Sequence, residues 1–247
     1  MYLRTLGGSN MKLVVANQKA YMTLDDINIF SEKTDSLKAN NFVLCPSSVY
    51  LYKFIGSGIK LGSQTVSNFP KGANTGDVTC EQLKSCGVSF CLVGHSERRE
   101  KGYESIPDTN IKINKLLSSG IIPILCVGET KGERDLGNAY KTISLEIEGA
   151  LKDLSTDFVD KIIIAYEPIW SIGSGLIPTS EEIYDTVNYI KNLLQVNYQS
   201  TNLVLYGGSV NSSNIDELNV IANVDGYLIG GASTKIDELI SIVDKCK

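Results

Sequence analysis

The chain has 247 residues, 43% of them hydrophobic and 21% charged, with a formal net charge of −5. That length suits two average domains or one (β/α)₈ barrel. No apolar run nears the roughly 18–20 residues that cross a bilayer, and no basic stripe marks a nucleic-acid surface, so neither membrane nor nucleic acid is an expected partner.

In chain order, residues 1–10 are read as an N-terminal extension without assigned structure, and residues 11–247 as the folded catalytic unit. The extension lacks the charged, apolar and small-residue regions of a secretory leader, so the expected compartment is the cytoplasm. Short apolar, β-branched runs then recur at 12–16, 41–45, 59–62, 90–93, 121–127, 161–165, 202–206 and 226–229. Between them, stretches such as 140–154 and 180–195 carry apolar residues at helical spacing. Thr179 or Ser180 is placed to cap the second, with Glu181 and Glu182 in its first turn. Runs that stay apolar rather than alternate predict strands buried on both faces, as in a parallel sheet. Eight such units favour a single-domain α/β fold, a closed (β/α)₈ barrel, over an open doubly wound sheet. The six cysteines form no C-x-x-C pair, and Cys45, Cys91 and Cys126 lie inside strand-like runs. They read as small buried hydrophobes rather than a disulfide or zinc framework.

The strand ends carry the chemistry. Asn17-Gln18-Lys19 follows the first strand, Gln64 the third, Gly94-His95 the fourth, and Glu129 lies past the fifth. Glu167 follows the sixth, Gly207-Gly208-Ser209 the seventh and Gly230-Gly231 the eighth. Strand C-termini of a barrel open on one face, so these groups converge there. His95 is the only histidine, and helix amides following it favour a neutral imidazole that still donates a hydrogen bond. Glu167 precedes a segment, Pro168 to Gly175, that starts with proline, holds the only tryptophan and ends Gly-rich. That composition suits a lid that excludes water. Lys19 would draw in an anion and stabilise a developing oxyanion. The two glycine pairs offer bare N–H groups for phosphate. A carboxylate, an imidazole, an ammonium, a phosphate nest and a lid suit proton abstraction next to a carbonyl in a small phosphorylated substrate.

Seven strings, in order, resemble the triosephosphate isomerase family. They are Ala16-Asn17-Gln18-Lys19, Gly94-His95-Ser96-Glu97-Arg98-Arg99, Cys126-Val127-Gly128-Glu129, Tyr166-Glu167-Pro168-Ile169-Trp170, Ile172-Gly173-Ser174-Gly175, Tyr206-Gly207-Gly208-Ser209-Val210 and Gly230-Gly231-Ala232-Ser233. The resemblance runs from about Met11 to the end of the chain and implies a TIM-barrel isomerase of triose phosphates that needs no cofactor or metal. It implies that Glu167 is the base, that neutral His95 is the electrophile and that Lys19 supplies positive charge; the Glu–neutral His pairing is the family's established chemistry. Asn17 positions substrate, Glu97, Ser96 and Cys126 support the site, and Gly173, Ser209, Gly230 and Gly231 hold the phosphate. It also implies a homodimer, with Gln64 and Thr75 on a long loop, residues 64–79, that enters the partner.

The chain departs from that pattern in places. Gln18 stands where the family usually has Trp, and Ala16 where Gly is common, which bears on packing near the dimer interface. Leu176-Ile177-Pro178 replaces the usual Lys-Thr-Ala after the lid, and Pro178 restrains its own φ and Ile177. Two other readings remain at this stage: a barrel isomerase of other sugar phosphates, and a non-catalytic or weakly active phosphate-binding barrel.

Overall fold

The computed structural model describes residues 11–39, 41–173 and 176–247. The expectation for residues 1–10 lies outside the described residues, as do Ser174 and Gly175 of the lid segment. Eight strands run in sequence order: β1 (Leu13–Asn17), β2 (Phe42–Cys45), β3 (Lys60–Ser63), β4 (Val88–Val93), β5 (Ile122–Val127), β6 (Ile163–Tyr166), β7 (Val204–Tyr206) and β8 (Gly226–Ile229). Each pairs in parallel with the next, and β8 returns to β1 through the register Leu13 to Gly226. The barrel is closed and leaves no sheet edge.

The apolar strand runs follow from burial on two faces. Leu13, Val15, Val43, Cys45, Phe90, Leu92, Ile124, Cys126, Ile163, Ala165, Leu205 and Leu228 fill the interior as one cluster. The residues alternating with them, such as Val14, Leu44, Leu125 and Ile164, join the larger cluster beneath the helices. The period of two therefore separates interior from exterior, although both are apolar.

Among the described residues ten α-helices surround the barrel: α1 (Leu24–Glu32), α2 (Cys80–Ser85), α3 (Ser96–Glu100), α4 (Ile106–Ser118), α5 (Lys131–Asp135), α6 (Ala139–Ala150), α7 (Thr156–Val159), α8 (Ser180–Tyr198), α9 (Ile215–Asn219) and α10 (Ile236–Lys245). Reciprocal capping boxes start α1, α2, α4, α5 and α8, pairing Thr23 with Asp26, Thr79 with Gln82, Ser105 with Asp108, Thr130 with Glu133 and Thr179 with Glu182. Thr179, rather than Ser180, is thus the cap of α8. Each cap is worth about 1 kcal/mol and fixes where the chain leaves the barrel mouth.

Most element boundaries shift by a residue or more from the sequence reading, and two of the shifts have a clear cause. The helix expected over 140–154 stops at Ala150, because the chain turns through Asp153 at φ 62° before α7. β7 begins at Val204, two residues late, because Asn202 turns aside. Its amide donates to the carbonyls of Val159 and Ile162, and its oxygen accepts from the Ser200 hydroxyl. The six cysteines are free thiols, and no helix among the described residues is long and apolar enough to cross a membrane.

Candidate active site

Strand ends set the site. After β1, the Asn17 carboxamide oxygen accepts the Lys19 amide at 3.1 Å and holds Lys19 in the left-handed region at φ 50°. Such a conformation costs a non-glycine residue of order 1 kcal/mol, and here it aims the ammonium across the mouth. The ammonium meets the Glu97 carboxylate at 2.5 Å. Gln64, after β3, donates to the carbonyls of Lys19 and Cys45 at 2.8 and 3.1 Å, so it anchors the first loop.

His95 occupies the cap position of α3, where its Nδ1 accepts the Glu97 amide at 3.3 Å. A nitrogen that accepts carries no proton, so the ring is the Nε2–H tautomer. That Nε2 lies 3.0 Å from Oε1 of Glu167, while the Ser96 amide donates to Oε2 at 3.2 Å. Burial acts to lower the His95 pKa, but the Glu167 carboxylate more than offsets it and raises the value above 6.5. Burial acts in the opposite sense on Glu167, and His95 with the Ser96 amide pulls its pKa below 4.5. Each partner stabilises the charged form of the other.

Glu167 gets its place from two neighbours. Its amide extends the β5–β6 pairing by donating to Val127 O at 2.7 Å. Gly128 lies flat against it: a Cβ there would come within 1.8 Å of the Glu167 carbonyl oxygen. Only glycine permits that approach.

Lys19, His95 and Glu167 face a cavity of about 510 Å³. Asn17, Glu97, Gly173, Ser209, Gly230 and Gly231 also line it, as do Gly207 and Gly208. A short 3₁₀ turn, Gly231–Thr234, begins at its wall, and the Ser233 hydroxyl ties that turn to Asn17 O at 3.0 Å. The volume and polar walls suit a small anionic ligand. Among the described residues no three His, Cys, Asp or Glu side chains group as a metal site would need.

The lid segment is fixed at its base. Glu129, fully buried, accepts from the indole N–H of Trp170 at 2.8 Å, the Tyr166 hydroxyl at 3.1 Å and Arg134 at 3.2 Å. Arg134 lies over the Trp170 ring and also pairs with Glu182 of α8 at 2.6 Å, spanning both sides of the lid. The Ser209 hydroxyl donates to Ser171 O at 3.0 Å.

Ser96, Gln64, Cys126 and Thr75 do not line the cavity: Cys126 sits in the barrel interior cluster with its thiol facing Glu167, and Thr75 is exposed on the loop after β3. Sequence reasoning missed Tyr21, Ile172, Leu228, Lys235 and Glu238 in the cavity wall, and Arg99 with Glu146 behind it. Glu146 had one detectable signal: it is a carboxylate among Ile143, Ile147 and Ala150 on the buried stripe of α6.

A closed (β/α)₈ barrel with a carboxylate against an imidazole, set over bare glycine amides, defines a class of phosphate-binding barrel suited to carbonyl-adjacent proton transfer. The sequence pattern of the family described as "Triosephosphate isomerase" matches residues 12–246. A protein named triosephosphate isomerase from Alkaliphilus metalliredigens is 37% identical, covering 92% of this chain and 95% of its own length. Proteins of the same name from Malacoplasma penetrans and Idiomarina loihiensis are 33% and 35% identical, each over 94% of this chain, with 98% and 97% of their own lengths covered. The chain belongs to the triosephosphate isomerase family.

Proposed function

We propose that the chain interconverts dihydroxyacetone phosphate and D-glyceraldehyde 3-phosphate, as its family's name states, within glycolysis and gluconeogenesis. The observation that carries the reading is the 3.0 Å contact of His95 with Glu167 in the wall of the glycine-lined cavity. Glu167 is the base. It takes a proton from the carbon beside the carbonyl and returns it to the neighbouring carbon, leaving no net change in charge. His95, through Nε2–H, donates to the oxygens as the enediol(ate) forms. The substrate carbonyl takes that donor from Glu167, which frees the carboxylate to act.

Lys19 supplies positive charge, Asn17 orients the substrate, and Glu97 and Ser96 hold Lys19, His95 and Glu167 in register. Cys126 supports the site from inside the barrel. Gly173, Ser209, Gly230 and Gly231 bind the phosphate through backbone amides. No cofactor enters the scheme.

The protein acts as a homodimer in the cytoplasm. In support, large apolar side chains are exposed on the connections after adjacent strands: Tyr21 after β1, Val49, Tyr52 and Ile55 after β2, and Phe69 after β3. The loop that carries Thr75 is stitched at its neck by Ser67 to Val78 at 2.8 Å and Ser67 to Asp77 at 2.6 Å. A firm neck suits a loop that enters a partner, with Gln64 at its root. Light scattering after size exclusion gives twice the chain mass if this holds.

The deciding assay follows glyceraldehyde 3-phosphate through a dehydrogenase that consumes dihydroxyacetone phosphate. Turnover that drops on the order of 10²–10⁴-fold or more in Glu167→Ala supports both activity and base. A folded parent with no turnover refutes the reading.

A further inference from the structure

Behind the reacting pair stands an ion pair that the isomerase scheme does not use. Glu146 projects from the apolar stripe of α6, and its side chain is only 13% exposed. Its Oε2 accepts the Gly128 amide at 2.8 Å, and its Oε1 faces Arg99 Nη2 at 3.1 Å. Arg99 in turn donates from Nη1 to the carbonyl of Gly94, and to that of Cys126 at 2.7 Å. These three backbone groups adjoin the site. Gly94, at φ +69°, is the turn that delivers His95, and Gly128 is the glycine pressed against the Glu167 carbonyl. One end of the pair therefore holds the chain entering His95, and the other holds the chain beneath Glu167.

We propose that Arg99 and Glu146 are positioning residues that fix His95 against Glu167 through the backbone. The inference rests on the isomerase reading and adds a control to it. Burial pushes the Glu146 carboxyl up to about 7, against the pull of Arg99 and the Gly128 amide. The charged groups facing it are Arg99 from α3, Glu133 from α5 and Glu167 beyond β6. α4 contributes only Ile106 and Thr109 to the cavity beside the pair, about 10 Å³ in size and at the lower limit for one water. Protonation leaves Arg99 without its counter-charge in a nearly dry space, so the grip on both loops slackens as pH falls below about 7.

The test is steady-state kinetics across the neutral range for the parent, Glu146→Leu and Glu146→Gln. Rates are expressed per site titrated with a hydroxamate analogue of the enediolate, so misfolded protein does not count. Glu146→Leu is expected to lose about tenfold in kcat with little change in KM, as befits a displaced rather than missing group. Glu146→Gln keeps an oxygen for the Gly128 amide and recovers part of that loss. A step in kcat near 7 is expected in the parent and is expected to be lost in both variants. Variants matching the parent in kcat per site and in pH profile overturn the proposal, as does a change confined to KM. Should Glu146→Leu fail to fold, Glu146→Gln decides alone through the pH step. A parent that binds the analogue without turnover brings down the isomerase reading and this inference together, whereas an active parent with parent-like variants brings down this inference alone.

Discussion

His95 is held at both ring nitrogens, by Glu167 at Nε2 from 3.0 Å and by the Glu97 amide at Nδ1 from 3.3 Å. Because His95 is the only histidine, its ring proton gives a single, unambiguous NMR titration. Replacing Glu167 by Gln removes the main influence that raises the His95 pKa and leaves burial and Lys19, which lower it, against the weaker pull of Glu97. The titration should therefore move to lower pH in Glu167→Gln. Stability follows by linkage. The raised His95 contributes stability that is present below 6.5 and lost as pH rises through its folded value; the lowered Glu167 contributes stability that is present above 4.5 and lost as pH falls. The gap in melting temperature between parent and variant should thus peak between those two values. An unmoved His95 titration contradicts the pairing.

Gly128→Ala tests the close approach under Glu167, the proposed base. The added methyl would meet the Glu167 carbonyl oxygen at 1.8 Å, so backbone must shift. A displacement of about 1 Å at a catalytic group costs on the order of 10²-fold in rate. The variant should lose kcat far more than it loses melting temperature, and a crystal structure should show Glu167 displaced. Full activity would mean that the contact tolerates more slack than the geometry allows.

Most of the barrel was legible because its strands are buried on two faces, which writes itself as eight apolar runs. Thr179 with Glu182 and the polar strand ends were legible for similar reasons, as each has a local signature. What was not legible depends on tertiary neighbours. Asn202 reads as part of a strand until the carbonyls of Val159 and Ile162 claim its side chain. Asp153 carries no signal for its left-handed turn. Tyr21, Lys235 and Glu238 reach the cavity wall only because loops after β1 and β8 are neighbours around the closed barrel. The local pattern marks which strand ends are polar, while barrel closure decides which side chains meet.

Gln18 offers a stability test. It is 1% exposed, and neither its amide nitrogen nor its oxygen has a hydrogen-bond partner. A buried polar group left unpaired costs about 1–3 kcal/mol, and an apolar replacement of similar size removes that cost. Gln18→Leu should raise stability, and at about 2–4 °C per kcal/mol for a chain of this size the melting temperature should rise measurably. Comparison at equal protein concentration keeps any association constant between the two proteins. A lower melting temperature would show that the amide is satisfied in solution.

Pro178 tests the far end of the lid. It is buried, follows two exposed residues, Leu176 and Ile177, and directly precedes the Thr179 cap of α8. Its ring fixes its own φ and biases Ile177 toward extended conformations, so the lid enters the helix through a stiff joint. Arg134 stiffens the same joint by linking the Trp170 ring to Glu182. Pro178→Ala loosens the joint and adds freedom to the unfolded chain, which should cost about 0.4–1 kcal/mol in stability. The sharper expectation concerns rate. Relaxation dispersion on the Trp170 indole N–H should report altered exchange between open and closed lids, with kcat changing wherever lid opening limits turnover. If that exchange matches the parent's, Pro178 serves only to stop the chain before α8, and the lid takes its timing from the Glu129–Trp170–Arg134 cluster instead.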